Sequence, residues 1–181
     1  MAKPARGPAR DELLPEWPRL VQEGERVLIR SPAPGDEPAL IEMATDAQVR
    51  RYIGGPVDPD TAAASANQKV TGQQPGQFVI VERATGAVAG SGSLARKRGP
   101  WEISYQLRAA FTGRGLAGEA VALVTGWFFA TMPDDLLIAT TQRANEASRR
   151  LLQRAGAVLT GTFDQYGKVQ ERYDFRRGAT S

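Results

Sequence analysis

The stretch FTGRGLAGEA, residues 111–120, places three glycines and one arginine between two hydrophobic segments. A glycine-rich turn at the start of a helix presents free backbone N–H groups and the positive end of the helix dipole. Gly113 and Gly115 allow the backbone to approach a phosphate closely or to adopt positive φ angles, and Arg114 adds a positive charge. The stretch therefore indicates a phosphate or pyrophosphate site, although a tight turn before a helix would use the same residues.

Residues 113–118 also satisfy the dinucleotide fingerprint G-x-G-x-x-G. That fingerprint needs an acidic residue about twenty positions on, at the end of the following strand. Asp134 and Asp135 have about the right spacing but precede the predicted strand, whose end carries Arg143, a residue suited to a 2′-phosphate. Only about sixty residues follow the stretch, too few to complete a doubly wound sheet. The spacing therefore disfavours a dinucleotide site.

The stretch resembles motif A of the GCN5-related N-acetyltransferases (GNAT), Q/R-x-x-G-x-G/A, whose loop binds the pyrophosphate of acetyl-CoA. In this register the motif falls on Thr112, Gly113, Arg114, Gly115, Leu116 and Ala117. Thr112 stands where Gln or Arg is usual. The longer string looks like the W-G-K/R-G-x-A-S/T-E-A of the branch that acetylates N-termini of ribosomal proteins and related small-molecule substrates. The resemblance implies acetyl-CoA as the co-substrate.

A second motif lies downstream, where Asn145 and Ser148 are followed by Leu152 and Gly156. This spacing resembles the family's N-x-x-S-x-x-x-L-x-x-x-G-F, and only the last residue, Ala157, differs. The two motifs together extend the resemblance over residues 25–177. It implies that the Asn145 side chain binds the pantetheine or the substrate. Asn145 is equally suited to a helix N-cap, and Ser148 to an ordinary polar position in the first helical turn.

The segment WEISYQL, residues 101–107, alternates between apolar and polar residues and predicts a half-buried strand. In the family this strand splays from its neighbour, and its free N–H groups bind pantetheine and polarise the acetyl carbonyl. By resemblance that role falls on Tyr105, Gln106 and Leu107, mainly through the backbone.

Acetyl transfer to an amine requires a neutral amine, a polarised carbonyl and an acid for the leaving thiolate. The chain contains no cysteine, which favours direct attack in a ternary complex over an acyl-enzyme on cysteine. Glu102, on the polar face of the strand, is the candidate base, acting directly or through water; a solvent-facing glutamate is the alternative. The tyrosine that serves as the acid in many acetyltransferases aligns with Leu152, so Ser148 becomes the candidate acid.

Hydrophobic periodicity and turn residues predict the elements that position these residues. Strands are expected over 26–30, 78–81, 87–94, 101–107, 136–141, 158–163 and 169–176, and helices over 36–45, 58–70, 116–132 and 145–155, with Asp36 as a candidate cap. This order predicts an α/β protein of the GNAT fold, with a mostly antiparallel mixed sheet flanked by helices. We expect a flexible lead-in over residues 1–24, one domain over 25–177 and a tail over 178–181.

The composition excludes several classes of protein. Among the 181 residues there is neither cysteine nor histidine, which removes disulfides, imidazole triads and cysteine–histidine zinc sites; no metal is expected. No apolar run is long enough to span a bilayer and no secretory signal is visible, so we expect a cytoplasmic protein without membrane partners. The short basic cluster at residues 96–98 is interpreted as a solvated loop rather than a nucleic-acid site.

The predicted partners are therefore acetyl-CoA and an amine acceptor, with a homodimer as a possible assembly. The acceptor is open between a protein N-terminus, an antibiotic, an amino acid and a polyamine. A catalytically silent acyl-CoA-binding or regulatory domain on the same fold is the alternative to an enzyme.

Overall fold

The computed structural model describes residues 18–96 and 99–178. Eight strands and four helices follow one another along the chain in these residues, together with one 3₁₀ turn, Ala109–Phe111. The strands are β1 (Gln22–Glu23), β2 (Val27–Arg30), β3 (Gln77–Glu82), β4 (Val88–Ala95), β5 (Trp101–Leu107), β6 (Leu136–Gln142), β7 (Val158–Gln165) and β8 (Lys168–Arg176). The helices are α1 (Glu37–Thr45), α2 (Pro59–Val70), α3 (Leu116–Thr131) and α4 (Glu146–Arg154).

All the strands form one mixed sheet in the order β1-β2-β3-β4-β5-β6-β8-β7. Neighbours are antiparallel except β5 and β6, which run parallel. This parallel pair is joined only at its start, where Trp101 faces Leu137 and Glu102 faces Ile138. Beyond Glu102 the two strands separate, so the centre of the sheet contains an open gap. The mostly antiparallel, splayed sheet expected from the sequence is confirmed.

The helices cover both faces of the sheet. On one face, α3 and α4 close a large apolar core in which Val124, Phe128 and Leu152 pack against Ile103 and Tyr173. On the other face, α1 and α2 close a smaller core. Side chains alternate along a strand, so Glu102 and Gln106 of β5 point to the α1/α2 face, while Ile103 and Tyr105 point to the α3/α4 face.

The starts of α1 and α2 differ in how they are capped. The Asp58 side chain caps α2 by accepting a hydrogen bond from the Thr61 N–H. Asp36 occupies the N-cap position of α1, but its carboxylate makes no capping bond. It instead binds the Arg30 guanidinium at 2.7 and 3.0 Å, and the prediction that Asp36 caps α1 is wrong, because this ion pair occupies the carboxylate.

The described part of the predicted lead-in belongs to the folded core. Leu20 is fully buried, and β1 pairs with β2 through Gln22 and Ile29. The prediction of a flexible lead-in missed this short edge strand, because two residues carry no recognisable alternation. Residues 1–17 and 179–181 lie outside the described ranges, as do Lys97 and Arg98 of the basic cluster. Within the described residues, no helix is both long and apolar enough to cross a membrane.

Candidate active site

The glycine-rich stretch forms a tight loop between β5 and α3. The chain leaves β5 through the 3₁₀ turn, and the Thr112 hydroxyl closes that turn by donating a hydrogen bond to the Ala109 carbonyl at 2.9 Å. Gly113 and Gly115 then adopt φ angles of 73° and 75°, and Gly115 is the N-cap of α3. Glycine reaches this left-handed region without the steric cost that other residues meet there. The two glycines are therefore required by the backbone path.

The loop presents a run of free donors. Between Gly113 and Gly118, no backbone N–H group has an acceptor within the described residues. The first N–H groups of any helix lack intrahelical partners, and here the loop's own N–H groups precede them. Together with the helix dipole, this run forms a site suited to a phosphate or pyrophosphate.

Arg26, just before β2, binds the loop on the side of its carbonyl groups. Its guanidinium donates to the Arg114 carbonyl at 2.8 Å and more weakly to the Gly115 carbonyl at 3.4 Å. A side chain at position 115 would meet this guanidinium, since a Cβ there would lie 3.0 Å from Nη1 of Arg26. With the carbonyls directed at Arg26, the loop N–H groups are left for a ligand.

Glu119, in the first turn of α3, fixes Arg26 in turn. Its carboxylate accepts from the backbone N–H of Arg26 at 2.8 Å and from Nε at 3.0 Å, and from the Val27 N–H at 3.3 Å. Burial alone would raise the pKa of Glu119, but these hydrogen bonds from Arg26 and Val27 outweigh it and hold the pKa below its usual value. The carboxylate is therefore ionised. The positive charge of Arg26 offsets its negative charge, which lies near the expected anion site.

Arg114 is engaged within the chain. Its guanidinium pairs with the buried carboxylate of Glu82 on β3 and lies 5.4 Å from the centre of the Phe111 ring. The sequence prediction treated this side chain as a charge available to a phosphate. In the structure the Arg114 backbone belongs to the glycine-rich loop, whereas its side chain ties that loop to β3 through Glu82.

The gap between β5 and β6 lies directly upstream of this loop. The Arg108 N–H donates to the Ala89 carbonyl of β4 at 2.9 Å. Backbone direction alternates along a strand, so the N–H groups of Tyr105 and Leu107 point the opposite way, into the gap. The Gln106 N–H points to β4. The predicted backbone role thus fits Tyr105 and Leu107, but not Gln106.

The Gln106 side chain lies on the α1/α2 face of the sheet. Its amide nitrogen donates to the Ser91 hydroxyl at 3.3 Å, and that hydroxyl lies 3.8 Å from the Met43 sulfur of α1. Its amide oxygen is buried without a hydrogen-bond partner in the described part of the chain. Gln106 therefore lines the α1/α2 side of the site through its side chain.

Glu102 lies where β5 and β6 part. It is the last residue of β5 that pairs with β6, and its partly exposed side chain is on the α1/α2 face. Its carboxylate forms no hydrogen bond or ion pair with residues 18–96 or 99–178. The Glu102 carboxylate thus lies where the gap begins and has no hydrogen-bond partner among the described residues, so it could accept a proton as a base.

Asn145 and Ser148 lie across the gap at the start of α4. The Asn145 side chain accepts the Ser148 N–H at 3.2 Å, which is the N-cap interaction. The Ser148 hydroxyl lies 2.9 Å from the Tyr105 hydroxyl of β5. The structure therefore joins two predicted site residues through a side-chain contact that spacing did not indicate. Leu152, one turn on, is buried in the core and offers no proton.

The two arginines flanking Asn145 bind a buried carboxylate behind α4. Glu171 accepts from Arg143 Nε at 3.0 Å and from Arg149 Nε at 2.8 Å, and the Tyr173 hydroxyl donates to it at 2.7 Å. Burial opposes ionisation, but the hydrogen bonds from Tyr173 and the arginines lower the pKa of Glu171 overall. This network anchors α4 to β6 and β8 and so holds Ser148 in place.

The structure thus combines an open, mostly antiparallel sheet, a parallel pair of strands that splays apart, and a glycine-rich loop at the start of a helix. The family model described as "Acetyltransferase (GNAT) domain" matches residues 26–158. The chain belongs to this family and is an acetyltransferase.

Individual relatives agree with this assignment. The chain is 26% identical over 141 residues to the uncharacterized N-acetyltransferase YnaD of Bacillus subtilis, covering 77% of this chain and 83% of that protein. A GNAT-family acetyltransferase from Bacillus anthracis superposes with a TM-score of 0.79 at 22% identity, covering 87% of this chain and 98% of that one. The spermidine N-acetyltransferase of Vibrio cholerae, solved with CoA and spermine, gives a TM-score of 0.74 at 13% identity, covering 86% and 98%. At these identities the two structures show the fold alone.

Sequence reasoning missed three parts of the site: Arg26, Glu119 and the Tyr105 hydroxyl. One local signal was available for Glu119, because it is an acidic residue in the first turn of a helix whose N-terminus was expected to bind an anion. A carboxylate so close to a bound anion needs a nearby cation to offset its negative charge. Nothing local identifies that cation as Arg26, which is 93 residues away.

Proposed function

We propose that the protein is an acetyl-CoA-dependent N-acetyltransferase that transfers the acetyl group directly to a primary amine in a ternary complex. One observation carries this proposal. A single unit of strand, loop and helix presents inward-facing N–H groups at Tyr105 and Leu107, and then the free N–H groups of residues 113–118. Donors in this order suit an extended ligand with a carbonyl at one end and a pyrophosphate at the other.

Acetyl-CoA supplies the activated acetyl group as a thioester. The loop N–H groups bind its pyrophosphate, and Asn145 borders the pantetheine arm as the N-cap of α4. The free N–H groups of β5 stabilise the negative charge that develops on the carbonyl oxygen. Without any cysteine in the chain, no cysteine can carry the acetyl group, and the amine attacks the thioester directly.

The proposed base and acid lie on opposite faces of the sheet. Glu102 is on the α1/α2 face, whereas Ser148 belongs to α4 on the other face. The amine therefore reaches the carbonyl from the α1/α2 side and loses its proton to Glu102, directly or through water. The sulfur departs towards α4, whose N-terminus favours the negative charge of a thiolate.

The acceptor side is bounded by the loop between α1 and α2. The Gln142 amide of β6 donates to the Tyr52 carbonyl at 3.0 Å and so attaches this loop to the end of the gap. Arg50 braces the loop by donating to the Gly55 carbonyl, and Arg51 is exposed beside the Tyr52 ring. These arginines disfavour a highly cationic acceptor by like-charge repulsion. We propose a protein N-terminus or a small-molecule amine, since an α-amine of pKa about 8 is partly neutral near pH 7.

Mass spectrometry of acetyl-CoA incubations with an amine panel tests the proposal. The panel contains peptides with free N-termini, amino acids, aminoglycosides and polyamines, and free-thiol release is measured in parallel. We expect a mass increase of one acetyl group on an α-amine or a small neutral amine, with a matching amount of thiol. Binding of acetyl-CoA without product from any amine would support the alternative, a catalytically silent acyl-CoA-binding domain.

A further inference from the structure

We propose that Tyr105 is the positioning residue for the leaving group: its hydroxyl donates a hydrogen bond to Ser148 Oγ and thereby aims the Ser148 hydroxyl at the departing sulfur. This inference rests on the proposed acetyl transfer. It assigns a side-chain role to a residue for which the resemblance implied mainly a backbone role.

The placement of the two hydroxyls is the first argument. Tyr105 lies on the part of β5 that has left β6, and its side chain points to the α3/α4 face. Ser148 is in the first turn of α4, held by the Asn145 cap. Their oxygens are 2.9 Å apart, so the hydrogen bond connects β5 to α4 on the α4 side of the gap. Both hydroxyls therefore lie on the side from which the sulfur departs.

The direction of this hydrogen bond is the second argument. A serine hydroxyl carries one proton and can accept while it donates. If Tyr105 donates, the Ser148 proton is free for the sulfur; if Ser148 donates, only its lone pairs face the developing negative charge. Burial raises the pKa of Tyr105 to about 12, although the hydrogen bond with Ser148 acts against this. Tyr105 therefore keeps its proton at neutral pH and has a proton to donate to Ser148 Oγ.

The composition of α4 is the third argument. The helix reads EASRRLLQR, so Ser148 supplies its one hydroxyl, and the buried Leu152 one turn on is apolar. A serine hydroxyl alone rotates between several orientations. The contact with a side chain from β5 removes this freedom, and preorganised donors stabilise a developing charge most effectively.

The chemical step balances without a further reactant. The amine nitrogen forms a bond to the carbonyl carbon, the carbon–sulfur bond breaks, and its electron pair stays on sulfur as a thiolate. The amine proton passes to Glu102 or water, and the thiolate is stabilised by the hydrogen bond from Ser148. No proton has to leave Tyr105, and the released thiolate is protonated by solvent.

The first test needs no amine acceptor. Calorimetry measures the affinity for CoA between pH 7 and pH 9.5, with desulfo-CoA as the reference ligand that has no thiol. A donor aimed at sulfur favours the thiolate, so the affinity for CoA relative to desulfo-CoA should rise by about tenfold as the thiol ionises. We expect this rise to be largely lost in Tyr105→Phe and in Ser148→Ala. A rise that Tyr105→Phe leaves unchanged would overturn the proposal.

The second test is kinetic and uses the intact protein. Tyr105→Phe should lower kcat by about tenfold and leave the KM for acetyl-CoA unchanged, and adding it to Ser148→Ala should cost little more, because both act through one donor. Tyr166→Phe, on the fully exposed turn between β7 and β8, is the matched control. Full kcat in Tyr105→Phe would contradict the proposal. If no amine is acetylated, the proposed function fails, while the thiolate measurement still decides the role of Tyr105.

Discussion

Arg26 and Glu119 are bound to each other at two points, through the Arg26 backbone N–H at 2.8 Å and through its Nε at 3.0 Å. The guanidinium of the same arginine also holds the loop, because it donates hydrogen bonds to the carbonyls of Arg114 and Gly115. A cation just before β2 and an anion on α3 thus fix the orientation of the loop peptides. The conformation of the loop proposed to bind the anion therefore depends on residues outside the glycine-rich motif as well as within it.

Replacing Arg26 tests this relationship. Arg26→Ala removes both guanidinium contacts to the loop and leaves the carboxylate of Glu119 without its cation, close to the expected pyrophosphate. We expect acetyl-CoA affinity to fall by about tenfold or more, as the loss of a hydrogen bond to a charged group implies. Calorimetric titration measures the change.

Arg96→Ala is the matched control for Arg26→Ala. Arg96 pairs with Asp134 at 3.2 Å, and about half of its side chain is exposed, as for Arg26. It follows the end of β4 that pairs with Glu102, away from the loop. Its removal should leave acetyl-CoA affinity unchanged. Equal losses in the two variants would show that general charge, rather than loop orientation, governs binding.

The glycines of the loop should differ in importance. Gly115 has a φ of 75°, and any Cβ there would press on Arg26, whereas a Cβ at Gly118 meets no atom within 4 Å. Gly115→Val should lower the free energy of unfolding by at least ~1–2 kcal/mol and weaken acetyl-CoA binding by more than about tenfold. Gly118→Ala should bind normally and be more stable by about 0.5–1 kcal/mol.

Urea unfolding and calorimetry on the same preparations check both glycine variants. Strong loss of binding in Gly118→Ala would mean that the third glycine contacts the ligand. That result would contradict the register in which the motif ends at Ala117.

The variant Glu102→Gln tests whether Glu102 is the catalytic base or only a solvent-facing glutamate of β5. The amide retains the size of the side chain but cannot take a proton. We expect kcat to fall by about 10²–10⁴-fold, the usual contribution of a general base, with acetyl-CoA affinity unchanged. The rate of the variant should rise with pH as the amine itself deprotonates. Unchanged turnover across the pH range would mean that Glu102 is only a solvent-facing residue.

Stability should fall in acid because of Glu119 and Glu171. Both have folded-state pKa values below normal, so their contribution to stability is present above the unfolded-state pKa of about 4.3 and is lost as pH falls through the folded-state value. Urea midpoints measured from pH 7 down to pH 3 should therefore drop below about pH 4.5. Glu119→Gln should be less stable than the parent at pH 7, with a smaller drop in acid; an equal drop would indicate that other carboxylates dominate.

Most of the elements were predictable from local sequence. The alternation in 101–107 predicts β5 with its bounds, and the loop glycines predict the start of α3. The short strand β1 and the turn Ala109–Phe111 were missed, because each is too short to show a period. The predicted parting of β5 from β6 came from the family resemblance, since neither strand shows it locally.

The contacts that complete the site were not predictable in this way. Arg26 meets Glu119 across 93 positions, Arg114 meets Glu82 across 32, and Tyr105 meets Ser148 across 43. Such pairs depend on how strands and helices pack, and the sequence around one residue does not indicate which distant residue it contacts. The same reason explains why Arg114 was expected to be available to a phosphate.

The binding of acetyl-CoA to the loop tests the central claim most directly. Calorimetric titration of the full chain should show one acetyl-CoA bound per protein at micromolar concentration, with CoA bound similarly and the affinity of Gly115→Val lower by more than about tenfold. An absence of binding by acetyl-CoA and CoA at high micromolar concentration would contradict the account.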